Sequence, residues 1–255
     1  MDDGPAPTAL QPISDTAPEL PGPPLLGQQW RDVSFLHWAV DPAVVAAHLP
    51  AGVRPDLFEG RAYVGLVPFR MVGTHLGRGP GLPWLGTFAE TNVRLYTVDD
   101  AGHRAVVFRS LDAARALPVL AGRIGFGLPY VWTRMRHRVR PHGAGTEHVY
   151  TARRRWASHP VTSTVRVRVG DEPATGGLES FLTARWGLHV AHLGRTWFLP
   201  NHHEPWPLRR AEAVEVADGV LPAAGFGEVT GRAPDHVMHA AVVHTRFGRP
   251  QALPG

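Results

Sequence analysis

From residue 28 onward, segment after segment alternates apolar and polar side chains with period two, the pattern of strands that turn one face to a core. These segments are QQWRDVSFLHWAV (28–40), GRAYVGLVPFRMVG (60–73), FAETNVRLYTV (88–98), HRAVVFRSLD (103–112), PYVWTRMRHRVRP (129–141), EHVYTARRRWAS (147–158), TSTVRVRVG (162–170), HVAHLGRTWFL (189–199) and HVMHAAVVHTRFG (236–248). Helical signals are few and short. DPAVVAAHLP (41–50) puts Asp41 at an N-cap and Pro42 at the first helical position. AARALPVLAGRIG (113–125) is helix-like around a proline, and GLESFLTARWG (177–187) reads as a third helix. With no βαβ alternation, the pattern predicts a mainly β (α+β) fold, a β-barrel or sandwich of antiparallel strands carrying a few short helices.

Two stretches fall outside the alternation. Residues 1–27 hold seven of the 25 prolines and no periodic apolar signal, which reads as a disordered tail ahead of a single domain over 28–255. THLGRGPGLPWLG (74–86) is a Gly/Pro loop long enough to serve as a lid. No apolar run approaches the roughly 18 residues needed to span a bilayer. The N-terminus lacks a basic and then apolar segment, so the expectation is a cytoplasmic protein without a membrane partner.

Composition narrows the chemistry. There are no cysteines, which removes disulfides, thiolate nucleophiles and cysteine zinc sites. There is no lysine either, so all 26 basic residues are arginine, with a formal net charge of +4. Arg134, Arg136, Arg138 and Arg140 share one strand face, and Arg166 and Arg168 repeat the pattern, as a phosphate-binding surface would require. Yet Val165, Val167 and Val169 mark the opposite face as core, so a solvated sheet face is the better reading and nucleic acid the alternative. The 15 histidines give no HExxH and no two-His-one-carboxylate spacing on one element, His189 and His192 pointing to opposite faces of a strand. No metal is expected, at NHHEPWPL (201–208) or elsewhere. GRIGFG (122–127) has the wrong spacing for a dinucleotide loop, and GxSxG is missing, so no cofactor is expected.

The chemistry-bearing segment is FAETNVRLYTV. Its alternation places Phe88, Glu90, Asn92, Arg94 and Tyr96 on one face and Ala89, Thr91, Val93, Leu95 and Thr97 on the other. A carboxylate, an amide and a guanidinium in a row form either a wet surface or the wall of a polar cavity.

Several segments together resemble the YqjF-like family of the acetoacetate decarboxylase-like superfamily. They are FLHWAVDPAVVAAHLPAGVRPDLFEGRAYVGLVPFRM, FAETNVRLYTV, FRSLDAAR, GLPY, FLTARW and HEPWPL. The resemblance implies a β-barrel with a buried pocket, and it implies that Glu90 faces that pocket with Arg31 nearby. It also aligns GRIGFGLPYVW so that Tyr130 and Val131 stand where the decarboxylases carry two lysines, the first of which forms the Schiff base. A phenol forms no imine, and no lysine exists elsewhere in the chain to replace it. The expected function is therefore a small-molecule pocket for a carboxylate or carbonyl metabolite, used for binding or for lysine-independent acid/base chemistry. Glu90, Arg31 and Tyr130 are the candidate catalytic residues, and Phe88, Asn92, Arg94 and Tyr96 the candidate substrate contacts. A homo-oligomer stays open.

Overall fold

In the computed structural model, residues 9–254 are described except 83, 85 and 144, together with the backbone but not the side chains of 117–119 and 121. The order of elements is β1 (Leu26–Val40), α1 (Pro42–Ala46), β2 (Val53–Pro55), β3 (Ala62–Leu76), β4 (Phe88–Asp99), β5 (Arg104–Ala113) and α2 (Ala116–Phe126). Then come β6 (Tyr130–His142), β7 (Gly145–Arg154), β8 (Thr162–Pro173), α3 (Gly177–Thr183), β9 (Gly187–His192) and β10 (Arg195–His203). The chain finishes with β11 (Leu208–Asp218), α4 (Val220–Ala223), β12 (His236–Phe247) and β13 (Gln251–Ala252).

The described strands belong to one sheet in the order β13-β10-β9-β5-β6-β7-β8-β11-β12-β1-β3-β4-β2, with β10–β12 and β5–β4 as additional pairings. Those two extra pairings close the sheet twice. One circuit runs β5-β6-β7-β8-β11-β12-β1-β3-β4 and back to β5; the other runs β5-β4-β3-β1-β12-β10-β9 and back to β5. The arc from β12 through β1, β3 and β4 to β5 is common to both. Its strands are therefore buried on both faces, and their alternate residues enter different interiors.

One interior takes Phe35, Val67, Phe69, Tyr96 and Val106 from the shared strands, joined by Leu182, Leu188 and Leu199. The other takes Leu36, Trp38, Val64, Leu66, Val93, Leu95 and Val107, joined by Tyr150, Val165, Val167 and Phe226. Fully burying one such side chain is worth about 1.5–3 kcal/mol, so the double use of five strands supplies two cores from a modest number of residues.

Local features mostly follow the sequence. The Asp41 carboxylate accepts from the Ala43 amide at 2.7 Å and Pro42 opens α1, although this helix stops at Ala46. Three expectations change. HVAHLGRTWFL is a hairpin rather than one strand, because Leu193 and Gly194 both take positive φ (51° and 73°), the geometry of a tight turn between β9 and β10. LRRAEAVEVAD forms β11, a strand that its alanines and glutamates disguise. In the third helical segment, α3 ends at Thr183, and Gly187 already pairs with Pro200 in β9.

Residues 9–25 of the Pro-rich segment form no regular element but lie along the domain. Arg104 donates from its amide and Nε to Gln11 at 3.0 and 2.8 Å, the Trp186 indole donates to Ser14 at 3.1 Å, and the Leu25 amide bonds Phe247 at 2.8 Å. Residues 1–8 lie outside the described residues, as do positions 83 and 85 of the 74–86 loop, whose Trp84 ring lies 4.1 Å below the Arg115 guanidinium.

Candidate functional site

The polar face of β4 lies in the first of the two interiors. Glu90 is 2% exposed, Asn92 7% and Arg94 9%, and Phe88 and Tyr96 are buried with them. Because Val93 and Leu95 fill the second interior, the only direction left for Glu90, Asn92 and Arg94 is inward.

Register brings Tyr130 to the same place. Asn92 pairs with Leu111 across β4–β5, and Leu111 pairs with Tyr130 across the parallel β5–β6 contact. The ring is seated by a glycine: a β-carbon on Gly122 of α2 would lie 2.5 Å from it. Glu90, Asn92 and Tyr130 thus line a cavity of about 100 Å³, walled by Trp30, Phe69, Phe108 and Phe247 among others. A second space of about 50 Å³ shares six wall residues with it, Asn92 among them, and extends past Arg94, Arg185, Asn201 and Trp206. The two spaces form one slot with Asn92 at the middle. Its size is well below the roughly 300 Å³ at which pockets for drug-sized ligands begin, so a ligand here is small.

The two ends of the slot differ in charge. At the first end, burial pushes the Glu90 carboxyl up to about 8; hydrogen bonding by Tyr130 and Asn92 restrains that rise, and the nearby Asp112 charge adds to it. Burial and the Glu90 charge push the Tyr130 phenol well above its usual range. At neutral pH this end therefore presents two uncharged O–H groups. Glu90 Oε2 has no hydrogen-bond partner, and neither has Asn92 Oδ1.

At the other end, Arg94 donates from Nε to the Tyr96 hydroxyl and from Nη2 to the Leu182 carbonyl, both at 2.9 Å. Among the described residues no carboxylate lies within 4.0 Å of its guanidinium. Glu90 and Arg94 do not neutralise one another; four residues at about 3.3 Å per residue separate them along the strand. Tyr96 also meets His37 Nε2 at 2.5 Å, and burial with the Arg94 charge holds that imidazole neutral. Arg185 is anchored by Asp56 at 2.5 Å and by the Phe181 carbonyl at 2.7 Å, which leaves its Nη2 without a partner. The indole N–H groups of Trp30 and Trp206 and the Asn201 Oδ1 are likewise unpaired. An unpartnered buried polar group costs about 1–3 kcal/mol, and several of them gather around this one slot.

One expected site residue is elsewhere. Arg31 is exposed, although its neighbour Trp30 lines the slot. The cause is backbone: Asp32 has φ 54°, and the β1–β3 register shifts between Arg31 and Leu36, so Trp30 faces inward before the irregularity and Val33 and Phe35 after it. Phe88 and Tyr96 pack in the core beside the slot, and Tyr96 reaches it only by positioning Arg94. Arg185, Asn201, Trp30 and Trp206 were not anticipated; they come from four separate segments and share no spacing. On the outside, Arg134, Arg136, Arg138 and Arg140 are exposed, while Arg166 and Arg168 turn to Glu147 at 3.1 and 3.6 Å. That is a solvated, partly neutralised face.

Comparison with known proteins agrees with this architecture. Over 219 residues the chain is 29% identical to the uncharacterized protein YqjF of Bacillus subtilis (strain 168), aligning 85% of this chain with 87% of that one. An acetoacetate decarboxylase-like enzyme from Sphingomonas wittichii RW1 superposes with a TM-score of 0.62 at 15% identity, covering 90% of this chain and 93% of that one. The enduracididine biosynthesis enzyme MppR complexed with pyruvate gives 0.59 at 14% identity, with 91% of each chain covered. At such identities the likeness is one of fold, a mainly β, acetoacetate decarboxylase-like fold. Residues 27–244 match DUF2071, a family described as an uncharacterized conserved protein, and the chain belongs to that family.

Proposed function

We propose that the slot binds a short oxo acid or a closely related carboxylate and carbonyl metabolite. The observation that carries this reading is Arg94, a buried guanidinium with no carboxylate partner among the described residues, at one end of a partly enclosed slot whose other end holds Glu90, a carboxyl that burial pushes up to about 8. A ligand carboxylate would neutralise Arg94 and take the spare donor of Arg185, in the charge-assisted bonding that suits a planar guanidinium. A ligand carbonyl would then lie toward Glu90 and Tyr130, two uncharged donors able to stabilise negative charge that develops on oxygen. Glu90, close to neutrality in proton affinity, is suited to give a proton to an enolate and take it back. Pyruvate bound to a protein of the same fold supports the class of ligand. The lack of any lysine rules out a lysine imine, so chemistry here would be proton transfer rather than Schiff-base decarboxylation.

The test is a thermal-shift and calorimetric screen of short oxo acids, hydroxy acids and aldehydes against the parent and Arg94→Gln. At about 100 times its dissociation constant a specific ligand adds ~2.7 kcal/mol of stability. An oxo acid is expected to raise the melting point of the parent, and Arg94→Gln to weaken it roughly 10- to 100-fold, the worth of a charge-assisted hydrogen bond. If only aldehydes bind, or if Arg94→Gln binds as well as the parent, the carboxylate assignment fails.

A further inference from the structure

On the other face of β1 the second interior holds polar groups that the slot does not use. Asp32 and Ser34 from β1, His137 from β6, His148 and Tyr150 from β7 and His239 from β12 meet there. His148 and His239 are each 4% exposed and their rings lie 4.2 Å apart, while the Asp32 side chain, at 25%, leads to the surface. One ligand atom from each of Asp32, His148 and His239 can be chosen so that all lie within 4.8 Å of one another.

Hydrogen bonding fixes the tautomer of His239. The Tyr150 hydroxyl donates to the Asp32 carbonyl at 2.5 Å, and a carbonyl can only accept, so the single phenolic hydrogen is used. Ser34, 3.1 Å from the same phenol, must then donate to it. With its own hydrogen spent, Ser34 Oγ accepts from His239 Nδ1 at 3.0 Å. His239 therefore carries its proton on Nδ1 and leaves an Nε2 lone pair free. This is the arrangement in which an outer hydrogen bond orients an imidazole ligand. On the far side, Thr146 Oγ1 lies 3.2 Å from His148 Nε2, which leaves Nδ1 as the atom facing the cluster, 3.1 Å from His137 Nε2. The Asp32 carboxylate faces Arg70 at 3.5 Å and His137 Nδ1 at 3.8 Å, and Arg70, 42% exposed, is free to turn toward solvent.

We propose that Asp32, His148 and His239 form a mononuclear site for a divalent metal of the zinc class, with a fourth position open to water on the Asp32 side. Two imidazoles and one carboxylate are an established donor set for zinc, whose bonds to such ligands are about 2.0–2.2 Å. Ligand atoms of a tetrahedral site then lie about 3.3 Å apart, so small side-chain rotations bring this set together. His137, whose Nε2 lies 3.1 Å from that same His148 Nδ1, gives up this hydrogen bond when the metal is taken, and Thr146 on Nε2 is the outer partner that orients His148. The inference stands on the second interior alone and is independent of the reading given to the slot.

The experiment is titration of the full chain, stripped with chelator and dialysed, with Zn²⁺ in competition with a chromophoric chelator, and with Co²⁺ while its visible spectrum is recorded. One Zn²⁺ per chain is expected, with tetrahedral Co²⁺ bands. His239→Gln and Asp32→Asn should each lower the affinity at least tenfold, and Ser34→Ala less than either. Asn tolerates the left-handed backbone at position 32 and keeps the carbonyl that Tyr150 bonds, so Asp32→Asn carries the test even if His239→Gln fails to fold. His244→Ala, at an exposed histidine beside Glu204, should change nothing. Absence of stoichiometric Zn²⁺ binding, equal affinity in Asp32→Asn, or a loss that follows His244→Ala instead would each overturn the proposal.

Discussion

The two interiors share one arc of strands, from β12 through β1, β3 and β4 to β5, yet are filled on different principles. In the interior of Leu36, Leu66 and Leu95, apart from the cluster of Asp32, His148 and His239, the shared strands are packed by aliphatic side chains, and the buried Asp112 is saturated. Asp112 accepts from Ser110 at 2.5 Å, from Thr133 at 2.9 Å and twice from Arg154 at 2.8 Å. The interior of Glu90 leaves a slot, with a carboxyl, an amide and a guanidinium that each keep an unused hydrogen-bonding atom. Along the shared arc the backbone is common to both, so there the contrast resides in which side chains alternate strand positions carry. Around Leu36, Leu66 and Leu95 the packing serves stability; around Glu90 the unpartnered polar atoms beside the slot cost stability.

Large-to-small substitutions sharpen this contrast most. Leu95→Ala, in the filled interior, should cost about 3–5 kcal/mol in denaturant unfolding, whereas Leu199→Ala, on the wall of the slot, should cost closer to ~2 because a space already adjoins it. Equal costs would erase the distinction between a packed interior and an open one.

An effect comparable at its limit, and of the opposite sign, belongs to Glu90. Burial pushes its folded-state pKa to about 8, above the ordinary 4.5 of an exposed glutamate, so between these values the folded protein retains a proton that the unfolded chain releases. Stability is then lost as pH rises through that window, at about 1.4 kcal/mol per pH unit at most. Glu90→Gln removes this dependence. Its melting point should gain on the parent steadily from pH 5 to pH 8, and a constant difference across that range would place the Glu90 carboxyl in the ordinary range. The smallest expected effect is Asp41→Ala. Loss of this cap should cost ~1 kcal/mol through α1, which carries Val45 into the filled interior, and leave ligand affinity unchanged.

Much of this plan is legible in the alternation of β4, which states correctly that Glu90, Asn92 and Arg94 share a face. Alternation alone does not say that the face is inside. That depends on the second closure of the sheet, through β9 and β10, where a two-residue turn hides within HVAHLGRTWFL. Arg31 shows the limit in another form, since one left-handed residue at Asp32 changes which side chains of β1 face the slot, and aspartate in a strand gives no warning of it. The partners of Arg94 in the slot had no signal at all: Arg185 and Trp206 lie some twenty residues apart on a helix exit and a loop. The cluster of His148 and His239 was equally silent, because ligands donated singly by different strands leave no spacing to read.

The pairing of β1 with β12 matches Leu26 to Phe247 and His37 to His236, and both closed circuits run through it. During synthesis, then, neither interior can be sealed until residue 247 has cleared the ribosome. The exposed faces of β3 and β4 must wait until β12 has been made. Such long-range closure makes for slow folding, and it makes the nascent chain, with its unpaired strand edges, a natural client for chaperones.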